Sequence, residues 1–178
     1  LMKTGTILSM AESESPTTGI WNSTSGFSWP GKDPNLSTDF GVVAGSYDYG
    51  KTVGWQVKEG RGFSKDYATD SSAVILNEAA VKYMNLKNPV GETMTWWDKP
   101  LKIIGVIKNM IIESPYDEVR PLIYPLLSYP GNVALIKLSP SIAASETIKK
   151  IEPVFKRYNP DQPFEYNFTD DDYAKKFG

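Results

Sequence analysis

The sequence predicts an α+β fold, and three observations carry that expectation. Two arms rich in Thr, Trp, Ile and Val, 92–97 and 101–109, read as a β-hairpin joined through Asp98-Lys99-Pro100. Two helical patterns, 78–84 and 142–158, stand apart from it rather than alternating with single strands. No internal repeat of the solenoid or propeller kind interrupts this order.

The chain of 178 residues, 40% of them apolar, is long enough to bury a core as one domain or two small lobes. Lys plus Arg number 19 against 21 Asp plus Glu, a net charge of −2 that speaks against nucleic acid, which calls for a basic stripe. Cysteine is absent, so disulfides, thiolate chemistry and soft-metal sites are excluded. Histidine is absent too, which excludes Ser-His and Cys-His nucleophile activation and imidazole acid–base catalysis. No stretch approaches the ~18 consecutive apolar residues that read as a membrane-spanning helix, and no signal peptide opens the chain.

From the N-terminus, 6–11 alternates as a short strand, and 13–37, dense in Ser, Thr, Gly, Pro and Asn, reads as a long loop. Trp21, Phe27 and Trp29 are costly to leave in water, so that loop packs on something. Residues 40–47 read as a strand, 49–57 as a helical turn and Gly60-Arg61-Gly62-Phe63 as a turn. A short apolar strand, 72–76, leads into Asn77, whose side-chain oxygen suits the N-cap of the helix 78–84, with Glu78 at its positive end. Asn88-Pro89-Val90-Gly91 makes a turn before the hairpin. The prolines of 120–126 restrict that strand to a sheet edge or to its own ends. Residues 132–138 form a clearer strand, and 142–158 places Ile148, Ile151, Phe155 and Tyr158 on one stripe. Pro153 should kink that helix or start a second one. A last strand over 163–168 and a terminal helix begun by Thr169-Asp170-Asp171-Asp172 complete the expectation.

Each candidate for chemistry has a structural reading that outweighs it. Gly26 to Lys32 matches the start of a phosphate-binding loop, but Asp33 stands where a magnesium-holding hydroxyl belongs, and Pro34 follows where a helix should begin. The consecutive acids Asp170, Asp171 and Asp172 point in different directions and lack the spacing of a calcium loop. A lone Arg61 ties a turn to carbonyls or a carboxylate more often than it binds an anion. Trp21, Trp29, Trp96 and Trp97 are the candidate partner contacts, since aromatic faces stack on apolar ligand surfaces. Trp96 and Trp97 are adjacent, so in a strand they face opposite sides. No cofactor or metal set emerges, and no enzymatic activity is expected.

The ordered run Gly60-Arg61-Gly62-Phe63, Val74-Ile75-Leu76-Asn77-Glu78-Ala79-Ala80, Asn88-Pro89-Val90-Gly91 and Ile103-Ile104-Gly105-Val106 resembles the extracytoplasmic core domain of MacB-type, FtsX-like ABC transporter permeases. Tyr47-Asp48-Tyr49, Pro121-Leu122-Ile123-Tyr124 and Pro163-Phe164-Glu165-Tyr166-Asn167-Phe168 support it, in a version similar to permeases of Bacteroidetes-type bacteria. The resemblance implies a single extracytoplasmic domain over 1–178. It would comprise a β-rich lobe near 55–110 and a porter-like α/β lobe made of the N-terminal part and 115–178, with mixed and antiparallel sheets. It implies that Leu1 and Gly178 lie near membrane helices of a longer inner-membrane protein, with this domain facing the periplasm and Lys175 and Lys176 near lipid headgroups.

Its implied partners are a cytoplasmic ABC ATPase acting through those helices, a second permease copy, and a periplasmic protein or lipoprotein. The function it implies is mechanical: ATP hydrolysis in the cytoplasm coupled to periplasmic work in export, lipoprotein handling or signalling. Gly60, Arg61, Phe63, Asn77, Glu78, Asn88, Pro89, Gly91 and Gly105 then become scaffold. The alternative is a secreted module that recognises a glycan or peptide through the aromatic-rich loop around Trp21 and Trp29.

Overall fold

A computed structural model describes residues 2–177 and has mixed α/β architecture, as the sequence predicts; Leu1 and Gly178, expected near membrane helices, lie outside the described residues. The described residues include ten strands: β1 (Ile7–Ser13), β2 (Asn22–Thr24), β3 (Phe27–Ser28), β4 (Phe40–Val42), β5 (Val57–Gly60), β6 (Ala73–Asn77), β7 (Thr93–Trp96), β8 (Lys99–Ile107), β9 (Leu122–Pro125) and β10 (Val133–Leu138). Four α-helices accompany them: α1 (Tyr49–Val53), α2 (Glu78–Met84), α3 (Ala144–Tyr158) and α4 (Thr169–Phe177).

β1 and β10 form an antiparallel two-stranded sheet, while the other eight strands form one mixed sheet in the order β2-β4-β9-β6-β8-β7-β3, with β5 attached to β8. Only Ser25 and Gly26 separate β2 from β3, yet these two strands stand at opposite ends of that order. The sheet therefore curls until its two ends meet in one stretch of chain. β6 is buried along its whole length, as expected of a central strand covered on both faces. Its Val74 and Leu76 join Phe27, Trp29, Phe40, Met94 and Ile103 under α2, while Ala73 and Ile75 join Tyr49, Ile104, Ile107 and Tyr124 on the other side.

Several local expectations are corrected by long-range pairing. The 13–37 segment is not a plain loop, because β2 pairs with β4 and β3 with β7. Its Ser- and Gly-rich composition hides strands whose partners, such as Trp96 for Phe27, lie far along the chain. The strand expected over 40–47 stops at Val42, and only Gly45 bridges further, to Ser13 and Leu126. A Cβ at Gly45 would lie 2.5 Å from the Tyr49 ring, so the chain turns inward there. The helical turn expected to reach residue 57 ends at Val53 against the left-handed Gly54, and Val57–Gly60 is strand, not turn.

β9 lies inside the sheet between β4 and β6, with Pro121 before it and Pro125 at its last position, so its prolines occupy the ends. α3 begins at Ala144 and runs unbroken through Pro153, whose ring sits on the exposed side together with Lys149, the residue whose carbonyl loses its helical N–H donor. Of the predicted stripe on α3, Ile151 is buried, but Tyr158 is 74% exposed. Residues 163–168 form no strand: the rings of Phe164, Tyr166 and Phe168 contact one another in turn, tilted at 5.5 Å and edge-to-face at 5.6 Å, and Phe164 lies 5.3 Å from Phe155 of α3. Strand-like alternation is present there, but the aromatic rings find each other rather than a neighbouring strand.

The junction of β6, α2 and β9 is built on Asn77, which is fully buried. Its Oδ1 accepts from Ala80 N and Leu122 N, both at 2.9 Å, and its Nδ2 donates to the Arg120 carbonyl at 2.8 Å. One side chain thus caps α2 and starts β9. Replacing Asn77 with Ala removes a cap worth ~1 kcal/mol and leaves buried amide and carbonyl groups at ~1–3 kcal/mol each. Urea unfolding should show a loss of about 3 kcal/mol for Asn77→Ala, whereas a loss under about 1 kcal/mol would mean that Asn77 is a cap and nothing more.

Candidate functional site

The motif residues converge where β5 meets β8. Val74 faces Ile103 and Ile75 faces Gly105, so Ile104 is an extra residue bulged out of β8. Beside the bulge, Gly60 pairs with Gly105, and Arg61 N donates to the Ile104 carbonyl at 3.0 Å. A Cβ at Gly60, whose φ is +70°, would sit 2.2 Å from the Ile104 oxygen. A Cβ at Gly105 would sit 2.2 Å from the Arg61 oxygen. Each glycine is therefore required by the other strand's backbone, not by a ligand.

Arg61 leaves this crossing to clamp the loop that follows. Its guanidinium holds Asp70 in a two-pronged pair at 2.6 and 2.8 Å, donates to the Gly62 carbonyl at 3.0 Å, and lies 3.9 Å from the centre of the Tyr67 ring. Ser64 N also donates to Asp70, whose side chain is wholly buried. The Arg61 guanidinium, helped by the Ser64 amide, holds the Asp70 carboxyl below its usual range against the opposing effect of burial. Arg61 is thus a turn-tying residue, and Phe63 packs against the apolar cluster around Tyr124. Asp70 itself escaped sequence reasoning, because a single acid in Ala68-Thr69-Asp70-Ser71 carries no spacing signal that names its partner.

Glu78, at the first turn of α2, faces Lys58 at 2.8 Å and accepts from Asn109 N at 3.1 Å, while Asn109 Oδ1 accepts from Ala79 N at 3.0 Å. Lys58 foremost, then the Asn109 amide, keeps the Glu78 carboxyl low, and Lys58 is raised in turn. Pro89 accepts from Glu92 N at 3.1 Å across Gly91 at φ +95°, the geometry of a type II turn that follows Asn88.

The four tryptophans proposed as contacts do not form one surface. Trp29 is 6% exposed, with its Nε1 donating to the Met84 carbonyl at 3.1 Å, so it belongs to the core rather than to a partner contact. Trp96 stacks on Phe27 with ring centres 5.2 Å apart. Trp21 and Trp97 are 64% and 65% exposed. Trp97 and Asp98, at φ +46° and +65°, are the two turn residues of the β7–β8 hairpin, and Lys99-Pro100 belongs to β8 rather than to the expected connector. The Trp97 indole lies against Gly26, where a Cβ would come within 2.5 Å of it.

An open groove of 1160 Å³ runs beside α2, between Lys82 and Tyr83 on one wall and Glu118 and Val119 on another, with Asp39, Lys58 and Glu59 along its rim. Among the described residues, no group of three or more acidic side chains is placed to hold a metal ion. No helix among them is long and apolar enough to cross a membrane.

A curled mixed sheet with an antiparallel pair beside it is an architecture shared with solved extracytoplasmic regions of transporter permeases. The periplasmic region of MacB from Actinobacillus actinomycetemcomitans superimposes with a TM-score of 0.68 at 18% identity, over 96% of this chain and 76% of that one. The extracellular domain of the ABC-type transporter YknZ from Gram-positive bacteria superimposes with a TM-score of 0.58 at 14% identity, over 88% of this chain and 78% of that one. Residues 11–154 match the model of the MacB-like periplasmic core domain, and the chain belongs to that family. No curated protein sequence matches it significantly.

Two outcomes follow from the β5–β8 crossing and its clamp. Gly105→Ala must displace backbone rather than a side-chain tip, so urea unfolding should show a loss above about 2 kcal/mol. Because folding lowers the Asp70 pKa, its contribution is complete above the unfolded carboxylate value of about 3.9 and is lost as pH falls through the folded value. Asp70→Asn should cost about 3 kcal/mol at neutral pH and make stability fall less steeply below pH ~4, as read from urea midpoints across that range.

Proposed function

We propose that this domain is the non-catalytic extracytoplasmic part of an inner-membrane ABC transporter permease, coupling ATP hydrolysis by a cytoplasmic ABC ATPase to mechanical work in the periplasm. Its place in the MacB-like periplasmic core domain family carries this reading. The motif residues support it: Gly60, Arg61, Asn77, Glu78 and Gly105 are all engaged in holding backbone or pairing charge, which leaves none directed at a substrate. The domain works beside a second permease copy, its β-rich and porter-like lobes moving with the membrane helices, and it acts on a periplasmic protein or lipoprotein in export, lipoprotein handling or signalling.

The alternative, a glycan- or peptide-binding module built on the aromatic-rich loop, needs Trp21 and Trp29 side by side on the surface. Burial of Trp29 leaves that platform with one ring. The coupling reading is tested on the full-length permease purified with the ABC ATPase encoded beside it. Excising this domain should leave ATP hydrolysis within about twofold, a change of under ~0.5 kcal/mol in barrier, while abolishing the periplasmic output. A reading frame without membrane helices, or periplasmic output that survives the excision, would sink it.

A further inference from the structure

Residues 108–121 link β8 to β9 without regular structure, yet they are held along their length: Lys108 N donates to the Gln56 carbonyl, Ile112 is buried in the apolar cluster around Tyr124, and the Pro121 carbonyl accepts from Gly41 N. At the start, Asn109 exchanges bonds with Glu78 and Ala79 of α2; at the end, Arg120 and Leu122 are held by Asn77. In the middle, the Tyr173 hydroxyl of α4 donates to the Ile111 carbonyl at 2.6 Å. Beneath the segment lies a cavity of 60 Å³ lined by Ile20, Ile112, Leu122 and their neighbours. Its far side, Glu118 and Val119, forms a wall of the groove beside α2.

α4 meets the rest of the domain through polar bonds along one face. The Thr169 and Thr17 hydroxyls lie 3.4 Å apart, the Tyr173 hydroxyl is also 3.4 Å from the Thr17 carbonyl, and Lys176 donates to the Thr18 carbonyl. Positions 169, 173 and 176 follow helical spacing, so the three contacts act as one latch. Lys176 holds a loop carbonyl. Burial raises the Tyr173 hydroxyl, which keeps it protonated and able to donate. Polar bonds of this kind contribute ~1 kcal/mol each, and among the described residues no α4 side chain belongs to either apolar cluster, so releasing these bonds breaches neither.

We propose that residues 108–121 are a strap whose position is set by α4 through the Tyr173–Ile111 bond, so that displacing α4 changes the width of the groove beside α2. This gives the coupling reading above a physical route, and rests on it for its purpose: motion reaching α4 is delivered to a groove wall some sixty residues earlier in the chain. The route itself is a property of the domain alone.

The chain has no cysteine, so two engineered thiols can be spin-labelled cleanly. With labels at Lys82→Cys and Glu118→Cys, pulsed electron spin resonance reads the distance across the groove. Adding Tyr173→Phe should at least double the width of that distribution, and should speed hydrogen exchange in 110–118 about fivefold, the ~1 kcal/mol of one lost bond. Exchange in β6 and α2 should stay unchanged. Lys176→Met, at an exposed position that cannot unfold the core, should broaden the same distribution to a smaller extent. An unchanged distribution in both variants overturns the strap, as does faster exchange shared equally by β6, which would mark general destabilisation. Neither readout involves ATP, so the strap can fail while coupling stands, and coupling can fail while the strap stands.

Discussion

A single buried amide holds the architecture together. Asn77 ends the central strand, caps α2 and receives the first amide of β9, so three elements depend on one side chain whose oxygen accepts two bonds and whose nitrogen donates one. Burying a polar group costs stability unless it is paired, and a paired one helps to specify a single arrangement. The groove beside α2 inherits its geometry from this junction, because both of its walls start there: α2 on one side and the end of the 108–121 segment on the other.

The second constraint is steric. β5 and β8 approach so closely at Gly60 and Gly105 that neither position admits a side chain, and the bulge at Ile104 brings β8 into that approach. Arg61 then converts the crossing into a clamp, because its guanidinium emerges where the wholly buried Asp70 can meet it with two bonds. Stiffness in this region contrasts with the polar attachment of α4. The proposed coupling calls for both: a frame that does not yield, and a part that can shift at the cost of a few solvent-competing bonds.

Site residues were legible in the sequence only where their role is local. Asn77 as N-cap, Glu78 at the helix start and the Pro89–Gly91 turn are read from neighbours a few positions away, and each stands in the structure as expected. Roles that depend on distant partners were not legible. Trp29 and Trp21 look alike in a Ser- and Gly-rich tract, yet one is enclosed beneath α2 and the other faces solvent, because only Trp29 finds the Met84 carbonyl and the Phe40 ring. The strand expected over 163–168 fails for the same reason, since alternation shows that one face is aromatic but not whether a strand lies beside it.

What the sequence by itself determined is the fold class, the family and the absence of thiol and imidazole chemistry, all of which rest on composition, ordered motifs and local backbone preference. Tertiary structure alone decided which tryptophans are surface, that Asp70 answers Arg61, that the curled sheet closes through Ser25-Gly26, and that α4 reaches Ile111. The division is physical. Caps and turns are settled by bonds within a few residues, whereas burial and pairing are settled by which distant segments the closing sheet brings together.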